Sequence, residues 1–312
     1  MFEYGLDRLH KKHVQKEVIF MQKYMFRNGI FFLIPSFLII LIFTIMPILQ
    51  SLYYSFTDYN GYNDPQFIWL DNYLNIFSDP RFKSALIRTL IIGFSTAILC
   101  NLFGLLSAIL LNTHLITKKI LRALFYIPTV IPVVVVAMLW SNILKSKDGL
   151  VNLVLSKLLN HPVEILWLDS LELVVYSVIF VSVWQLTGPI IFIYLAGLQG
   201  IPKELIDASR IDGASRMNSF RHVTLPLLMP SITINCFVGL ANGLNIFDLP
   251  YVMTGGGPAG GSETLPLLIY RFAFSSGEIA YGNASSFILA LFVISITSVL
   301  VFFLKRQEKE LV

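Results

Sequence analysis

The sequence predicts an all-α membrane protein with six transmembrane helices. Its 312 residues are 55% hydrophobic and only 13% charged, whereas a soluble domain carries about 25% charged residues. The mean hydropathy of the chain is +0.71. A helix needs roughly 20 apolar residues to cross a bilayer, and six stretches reach that length: 30–49, 85–111, 120–143, 173–198, 223–247 and 284–304.

Polar tails flank the predicted six-helix domain, which covers residues 29–304. Residues 1–28 mix apolar side chains with Lys, Arg and His, a pattern typical of a helix lying on the membrane surface. The first apolar stretch exceeds the roughly 7–15 residues of a signal-peptide core, so we expect the mature protein to keep it. Residues 305–312 form the predicted C-terminal tail. His10 and His13 have no further metal ligand nearby, which favours a solvated face over a metal site.

The distribution of basic residues predicts the orientation. If the N-terminus is cytoplasmic, sixteen of the 23 Lys and Arg residues lie on cytoplasmic segments and seven lie outside. Cytoplasmic loops of membrane proteins carry an excess of Lys and Arg, so we expect both termini in the cytoplasm. The net charge of +4 is then explained by the topology and by contact with anionic lipid headgroups. No basic stripe with interleaved aromatic residues indicates nucleic-acid binding.

The loop between the fourth and fifth predicted spans, residues 199–222, is unusually polar and is predicted to form a helix-turn-helix. Leu205, Ala208 and Ile211 share one face of its first helix. Gly213 permits a sharp turn, and a second short helix follows. An ordinary amphipathic connector is the alternative, but this loop is better suited to docking against a partner.

The same loop resembles the EAA coupling loop of ABC-importer permeases. The family pattern is Glu-Ala-Ala, three residues, Gly, nine residues, then Ile-x-Leu-Pro. The sequence has Asp207-Ala208-Ser209, then Gly213, then Val223-Thr224-Leu225-Pro226. Asp replaces Glu and keeps the charge with a shorter reach, and Ser replaces the second Ala. The resemblance implies that an ATPase subunit is contacted by Glu204, Asp207, Ala208, Ser209, Asp212, Gly213 and Ala214.

A second resemblance covers nearly the whole chain from about residue 28. The segment MTGGGPAGGSETLPLLIYRFAF and the N-terminal PSFLIILIFTIMPILQSLYYSFTDYN are similar to permeases of carbohydrate ABC importers. This resemblance implies a type I ABC importer permease bundle in a bacterial cytoplasmic membrane. The implied partners are a second homologous permease, two ATPase subunits that bind ATP and Mg, an extracytoplasmic solute-binding protein and a sugar substrate. No cofactor is expected on this chain.

Polar residues inside apolar spans predict a solute site, because such residues are costly in lipid and usually face a cavity or another helix. Asn242, Asn245 and Asp248 are spaced by three, so we expect them near one face of the fifth helix. Hydrogen bonding between helices is an equally good explanation for any one of these residues. The resemblance places sugar contacts at Asn245 and near Asn242. It also places contacts at Ser182 and Trp184 in the fourth span, and it aligns Thr129 with a further contact position. The predicted substrate-binding set is Thr129, Ser182, Trp184, Gln185, Asn242, Asn245 and Asp248.

Catalytic and metal chemistry are not indicated. Gly255, Gly257 and Gly260 fit GxGxxG by count, but they follow a span rather than a strand and enclose Pro258. No P-loop sequence occurs, and the two cysteines, Cys100 and Cys236, lie inside predicted spans. We therefore expect a transport subunit and not an enzyme. The absence of Lys or Arg deep in a span favours neutral sugars, with an importer of glycerol phosphate or an ion-coupled secondary transporter as alternatives.

Overall fold

The computed structural model describes residues 33–113 and 116–311, and these residues fold almost entirely as α-helix. The predicted surface helix in residues 1–28, with His10 and His13, lies outside the described residues. Within them, the β-structure amounts to one isolated bridge between Thr57 and Phe67. The helices are α1 Leu33–Ser55, α2 Asp71–Ser78, α3 Pro80–Leu111, α4 Lys118–Val130, α5 Val133–Ile143, α6 Leu150–Leu159, α7 Val174–Gly200, α8 Lys203–Ile211, α9 Arg216–Leu227, α10 Met229–Leu244, α11 Asp248–Thr254, α12 Leu265–Ser275 and α13 Ile279–Leu311.

The lengths and composition of these helices confirm the predicted fold class. Helices α1, α3, α7 and α13 are long and apolar enough to cross a membrane, and the pairs α4–α5 and α9–α10 meet the same test as bent pairs. The described residues therefore contain six candidate spans if each bent pair is one crossing. Two of the six are bent, which the apolar stretches alone did not indicate.

The third predicted span, 120–143, is broken between α4 and α5, which meet at 98°. Pro132 lacks a backbone N–H, and its ring clashes with the carbonyl four residues earlier, so a helix cannot continue through it. Ile131 precedes this proline and is extended, with φ −73° and ψ 129°, as a residue before proline prefers. The chain thus changes direction at residues 131–132.

The fifth predicted span, 223–247, is also broken, and its helical part ends a few residues earlier than predicted. A 68° bend at Leu228 separates α9 from α10, and it lies between Pro226 and Pro230. Helix α10 then stops at Leu244, and Asn245 has φ −99° and ψ 16°. Pro250 explains this early end, because its ring would clash with the carbonyl of residue 246 in a continuous helix. Asn242 and Asp248 consequently lie on two different helices.

The core forms where α3, α7 and α10 cross, and small residues bring α3 and α10 into close contact. A Cβ added to Gly243 would lie 2.8 Å from the Cα of Gly93, and one added to Gly239 would lie 3.2 Å from the Cα of Ala97. Small residues four apart on both helices allow this backbone approach, as in other membrane helix pairs. The crossing fixes the position of the C-terminal end of α10, where the predicted solute residues lie.

A buried polar cluster joins the same three helices nearer the N-terminal end of α10. The Asn235 side-chain amide donates to the Ile190 carbonyl at 3.1 Å, and the Tyr194 hydroxyl donates to Asn101 Oδ1 at 2.5 Å. Asn235 is fully buried. Its amide therefore connects helices, and Asn235 does not face the cavity described below.

Candidate functional site

A polar cavity of about 380 Å³ lies between α7, the end of α10 and the start of α11. This volume is near the lower end of the roughly 300–1,000 Å³ typical of small-molecule sites. Five of the seven predicted substrate residues line the cavity: Ser182, Gln185, Asn242, Asn245 and Asp248. Val133, Leu186, Ala241, Ile246, Phe247 and Leu249 supply its apolar surface. The cavity thus combines amide, hydroxyl and carboxylate groups with aliphatic and aromatic walls.

The two asparagines present free hydrogen-bonding capacity to the cavity. Asn242 Nδ2 donates to the Val238 carbonyl and Asn245 Nδ2 donates to the Ala241 carbonyl, both at 2.8 Å. Both residues are exposed. Each amide nitrogen keeps a second hydrogen and each amide oxygen keeps its lone pairs, so both side chains can donate to and accept from a solute hydroxyl.

Asp248 reaches the cavity because α10 ends early. The chain between α10 and α11 turns at residues 245–247, and Asp248 is then the first residue of α11. Its carboxylate is exposed and lies at a helix N-terminus, where a negative charge is favourable. Asp248 therefore supplies an acceptor for hydroxyl groups and gives the cavity lining its one charged side chain.

Ser182 and Gln185 contribute from α7 and are more deeply placed. Ser182 is fully buried, and its hydroxyl donates to the Val178 carbonyl at 2.7 Å, which leaves its oxygen as an acceptor. Gln185 is almost fully buried, and its Nε2 donates to the Ile131 carbonyl at 3.4 Å. Gln185 consequently lines the cavity, and its hydrogen bond to Ile131 also stabilises the chain between α4 and α5.

The structure places Thr129 and Trp184 outside the cavity lining. Pro189 has no N–H, so the Gln185 carbonyl lacks its usual partner within α7. The Thr129 hydroxyl donates to this carbonyl at 2.9 Å. Thr129 therefore fixes the α4–α7 contact. Trp184 instead packs edge-on against Trp140, with ring centroids 5.5 Å apart.

The glycine-rich loop after α11 is held by a buried carboxylate that sequence reasoning missed. Glu263 is 2% exposed and accepts two hydrogen bonds from Arg81, at 3.0 Å from Nε and 2.9 Å from Nη2. Arg271 also donates to Glu263 and to the Gly255 carbonyl. The Thr254 and Ser262 hydroxyls lie 2.6 Å apart across the base of the loop. These contacts tie the loop to α3 and α12.

The electrostatics of this cluster favour the ionised carboxylate. Burial raises the pKa of Glu263, but the hydrogen bonds and positive charges of Arg81 and Arg271 outweigh burial and hold that pKa below its ordinary value. Glu263 therefore stays charged across the physiological range. Arg81 and Glu263 are 182 positions apart, and no local sequence signal relates them.

The predicted coupling loop is a helical hairpin with a well-defined turn. Helix α8 ends in a Schellman-type arrangement, since the Gly213 N–H donates to the Arg210 carbonyl and the Ala214 N–H donates to the Ser209 carbonyl, both at 3.0 Å. Gly213 has φ +82°, and no atom lies within 4 Å of the position that a Cβ would occupy there. Glycine is therefore favoured here by backbone conformation and not by lack of space. Ser215 begins α9 by accepting from the Asn218 N–H at 3.3 Å.

Ser209, which departs from the EAA pattern, has a specific partner across the hairpin. Its hydroxyl lies 2.7 Å from that of Ser219, which is buried, and it also donates to the Ile206 carbonyl at 2.8 Å. Ile206 packs on the hydrophobic core. The remaining predicted coupling residues lie on the surface: Glu204, Asp207, Ala208, Asp212 and Gly213 are exposed, and Ala214 is half-buried.

The apolar face predicted for α8 is uncovered in the isolated chain. Leu205 is 45% exposed and Ile211 is 87% exposed, and Met217 on α9 is 70% exposed. The hairpin is thus fixed to the core by Ile206 on one side and presents apolar side chains on the other. Among the residues that the structure describes, no group of three or more His, Cys, Asp or Glu side chains could hold a metal ion.

Comparison with known proteins agrees with this arrangement. Residues 100–311 match the family described as binding-protein-dependent transport system inner membrane component. A probable starch degradation products transport system permease protein, AmyD of Thermoanaerobacterium thermosulfurigenes, is 32% identical over 92% of this chain and 98% of its own length. The trehalose/maltose transport system permease protein MalF of Thermococcus litoralis is 32% identical, covering 87% of this chain and 91% of MalF.

A further relative and a solved structure extend the comparison. The multiple sugar-binding transport system permease protein MsmF of Streptococcus mutans is 34% identical over 86% of this chain and 92% of MsmF. A crystal structure of a bacterial ABC transporter involved in alginate import superposes with a TM-score of 0.77, at 22% identity and covering 93% of this chain and 98% of that one. The alginate transporter chain therefore shares the fold of this chain. Because the family match covers most of the chain and these identities extend almost end to end, the chain belongs to the inner membrane components of binding-protein-dependent transport systems and is a membrane-embedded permease subunit.

Proposed function

We propose that this chain is the permease subunit of an ATP-driven importer that carries neutral sugars or oligosaccharides across the membrane by alternating access. The observation that carries this proposal is the composition of the polar cavity. Its lining offers three amides, one hydroxyl and one carboxylate, and no Lys or Arg lines it. Sugar hydroxyls both donate and accept hydrogen bonds, and this set of groups satisfies both roles.

The same composition disfavours an anionic solute. Phosphate is normally bound by Arg, Lys or backbone N–H groups, and Asp248 would repel it. A glycerol-phosphate importer is therefore the weaker candidate. The relatives named for starch degradation products, trehalose or maltose, and multiple sugars support the sugar assignment.

We assign the cavity residues distinct roles. Asn242, Asn245 and Asp248 contact the solute from the α10–α11 turn, and Ser182 and Gln185 contact it from α7. Thr129 positions Gln185 through the Gln185 carbonyl. Trp184 supports the α7 wall through its contact with Trp140.

The exposed hairpin of α8 and α9 is the proposed docking site for an ATPase subunit. Its uncovered apolar side chains, Leu205, Ile211 and Met217, are suited to a hydrophobic cleft, and Asp207 and Glu204 add charge at its rim. Two ATPase subunits would bind ATP and Mg, one under this chain and one under a second, homologous permease. Closure of the ATPases would move both hairpins and rotate the helices from inward-open to outward-open.

The proposed orientation places the hairpin and both termini in the cytoplasm. The opposite surface, with the glycine-rich loop, would then face an extracytoplasmic binding protein that delivers the sugar. The excess of basic residues on the hairpin side supports this orientation.

Competition for uptake tests the solute class. Proteoliposomes would contain this chain, its partner permease and the ATPases, with the binding protein added outside. We expect uptake of a labelled sugar to be competed by unlabelled neutral sugars and not by glycerol phosphate at equal concentration. Uptake of glycerol phosphate in preference to every neutral sugar would contradict the assignment.

A further inference from the structure

Four aromatic rings form a continuous cluster beside the polar cavity, and the roles assigned above do not use them. Phe247 stacks on Tyr251 with ring centroids 5.2 Å apart and planes 16° apart. Tyr270 lies 5.3 Å from Phe247 and 5.5 Å from Tyr251, and Phe274 lies 5.1 Å from Tyr270. We call Phe247, Tyr251, Tyr270 and Phe274 the aromatic strip. It joins α11 to α12 across the glycine-rich loop.

The strip is continuous with the polar cavity. Phe247 lines that cavity, and it also lines a second cavity of about 400 Å³ together with Tyr270 and Phe274. Asn283 and Ser286 of α13 also line the second cavity. One aromatic ring is therefore the common wall of a polar site and an aromatic site.

The strip retains exposed ring surface despite its internal packing. Tyr251 is 44% exposed and Phe274 is 78% exposed. Tyr251 and Tyr270 each carry a hydroxyl at the edge of the ring. The surface thus offers flat apolar faces with hydroxyl groups at their edge. A surface made only to contact lipid tails would not need those hydroxyls.

We propose that the aromatic strip is a second subsite, which binds the sugar unit next to the one in the polar cavity, so that the natural solute is an oligosaccharide. This inference rests on the proposed sugar-import function and adds solute length to it. A pyranose has apolar C–H faces and hydroxyl groups around its edge. Its faces would stack on Tyr251 and Phe274, while its edge would meet the tyrosine hydroxyls and the Asn283 side of the cavity.

The test measures how the effect of a strip mutation depends on solute length. The reconstituted complex, with its binding protein, would be offered linear α- and β-linked hexose oligosaccharides of one to six units. For Tyr251→Leu and Phe274→Leu we expect the half-saturating concentration to rise about two- to tenfold for the longer solutes. The shortest transported solute should be unaffected, because it occupies only the polar cavity.

Two further variants separate stacking from general damage. Tyr251→Phe keeps the ring but loses the hydroxyl, so it should restore most, but not all, of the transport of the longer solutes. Tyr62→Leu removes a tyrosine that is 98% exposed and outside the strip, and should change nothing.

Each remaining outcome would overturn a stated assignment. An equal loss for all lengths, or loss of the partner permease on purification, would mean that the strip packs against protein or lipid. Unchanged uptake at every length, or wild-type transport of monosaccharides alone, would exclude the oligosaccharide subsite. If the wild-type complex transported no sugar of the panel, the proposed sugar function itself would be overturned.

Discussion

At the scale of single residues, the cavity depends on side chains whose hydrogen bonds are only partly used within the chain. Asn245 uses one amide hydrogen on the Ala241 carbonyl and keeps its other donor and its acceptor. Asn235, in the same helix, is fully buried and bonded to the Ile190 carbonyl. Residues of the same type can therefore have opposite roles, solute contact or helix contact, according to their exposure.

Asn245→Ala should weaken sugar uptake. Losing one hydrogen bond to a neutral hydroxyl costs about 0.5–1.5 kcal/mol, so the apparent affinity should fall by about two- to tenfold. Asn142→Ala is the matched control, since Asn142 is also exposed and donates to the carbonyl four residues earlier, at 2.8 Å, but lies on α5 outside the cavity. Sugar uptake at matched membrane levels is the measurement, and equal uptake by the two variants would remove Asn245 from the site.

Asn235→Ala should behave differently from Asn245→Ala. It leaves the Ile190 carbonyl without its side-chain donor and opens space in the core, so it should lower thermal stability. At matched membrane levels, we expect its effect on uptake to be smaller than that of Asn245→Ala. A larger effect of Asn235→Ala on apparent sugar affinity would place the solute deeper along α10.

Glu263→Gln should loosen the glycine-rich loop. The substitution removes the charge that Arg81 and Arg271 share, and because both arginines are partly exposed we expect a loss of about 1–3 kcal/mol at neutral pH. The folded-state pKa of Glu263 is depressed, so its contribution is fully present above the ordinary glutamate pKa and is lost as the pH falls through the lower folded value. The wild type should therefore lose stability in that acidic range, and the variant should lose less.

Thermal unfolding of the purified protein between neutral and acidic pH would show this difference. Glu172→Gln provides the control, because Glu172 is exposed and its side chain has no partner among the described residues. Identical acid profiles for the wild type and Glu263→Gln would show that the Glu263 cluster does not stabilise the fold.

At the scale of elements, prolines determine where the helices break, and the breaks build the site. The stop at Pro132 leaves the Ile131 carbonyl as a partner for Gln185, and the stop before Pro250 brings Asp248 to the cavity. The length of the apolar stretches predicted that membrane helices exist in these regions, because roughly 20 apolar residues suffice for a span. It did not predict the breaks, since proline is tolerated inside many membrane helices and only packing decides whether the helix kinks or ends.

The hairpin of α8 and α9 was predictable in more detail, because its signals are local. The apolar spacing of α8, the turn at Gly213 and the short helix after it are all read from a short stretch of sequence. The partner of Ser209 was not predictable, since the contact with Ser219 exists only after the hairpin folds. The Arg81–Glu263–Arg271 cluster and the aromatic strip were missed for the same reason: each joins segments that are far apart in sequence or separated by a loop.

Asp207→Lys and Gly213→Val should uncouple ATP hydrolysis from transport. The first reverses a charge on the exposed hairpin surface, and the second places a β-branched residue at φ +82°, which strains the turn. Neither position contacts the cavity, so the permease should still reach the membrane. Co-purification of the ATPase and sugar-stimulated ATP hydrolysis are the measurements, with Lys157→Gln, an exposed substitution on α6 and outside the hairpin, as the control. Wild-type coupling in both variants would exclude ATPase docking at this hairpin.

At the scale of the whole molecule, the two proposed functional surfaces lie at opposite ends of α10. The cavity and the glycine-rich loop follow the C-terminal end of α10, and the hairpin of α8 and α9 precedes its start. Composition and charge predicted the class and the orientation, because hydropathy and the bias of basic residues are averages over many positions. These averages could not predict the geometry of the cavity, of the glycine-rich loop or of the hairpin, because that geometry depends on individual contacts.

The proposed orientation makes a direct labelling prediction. A cysteine introduced at the exposed Ala259 of the glycine-rich loop should react with a membrane-impermeant maleimide added to whole cells stripped of outer layers. A cysteine at the exposed Ser215 of the hairpin should react only after the membrane is permeabilised. The native Cys100 is fully buried, but Cys236 is half-buried, so both labelling variants also carry Cys236→Ser. The reverse labelling pattern would invert the topology.

ATP-driven sugar uptake by the reconstituted complex tests the central claim most directly. This chain, the second permease, the ATPases and the binding protein would be assembled in proteoliposomes, with ATP and Mg on the hairpin side and labelled sugar on the other. We predict accumulation that requires ATP, Mg and the loaded binding protein and that is insensitive to collapse of ion gradients. Accumulation driven by an ion gradient without ATP, or no ATP-dependent accumulation of any sugar, would contradict the assignment of this chain as an importer permease for sugars.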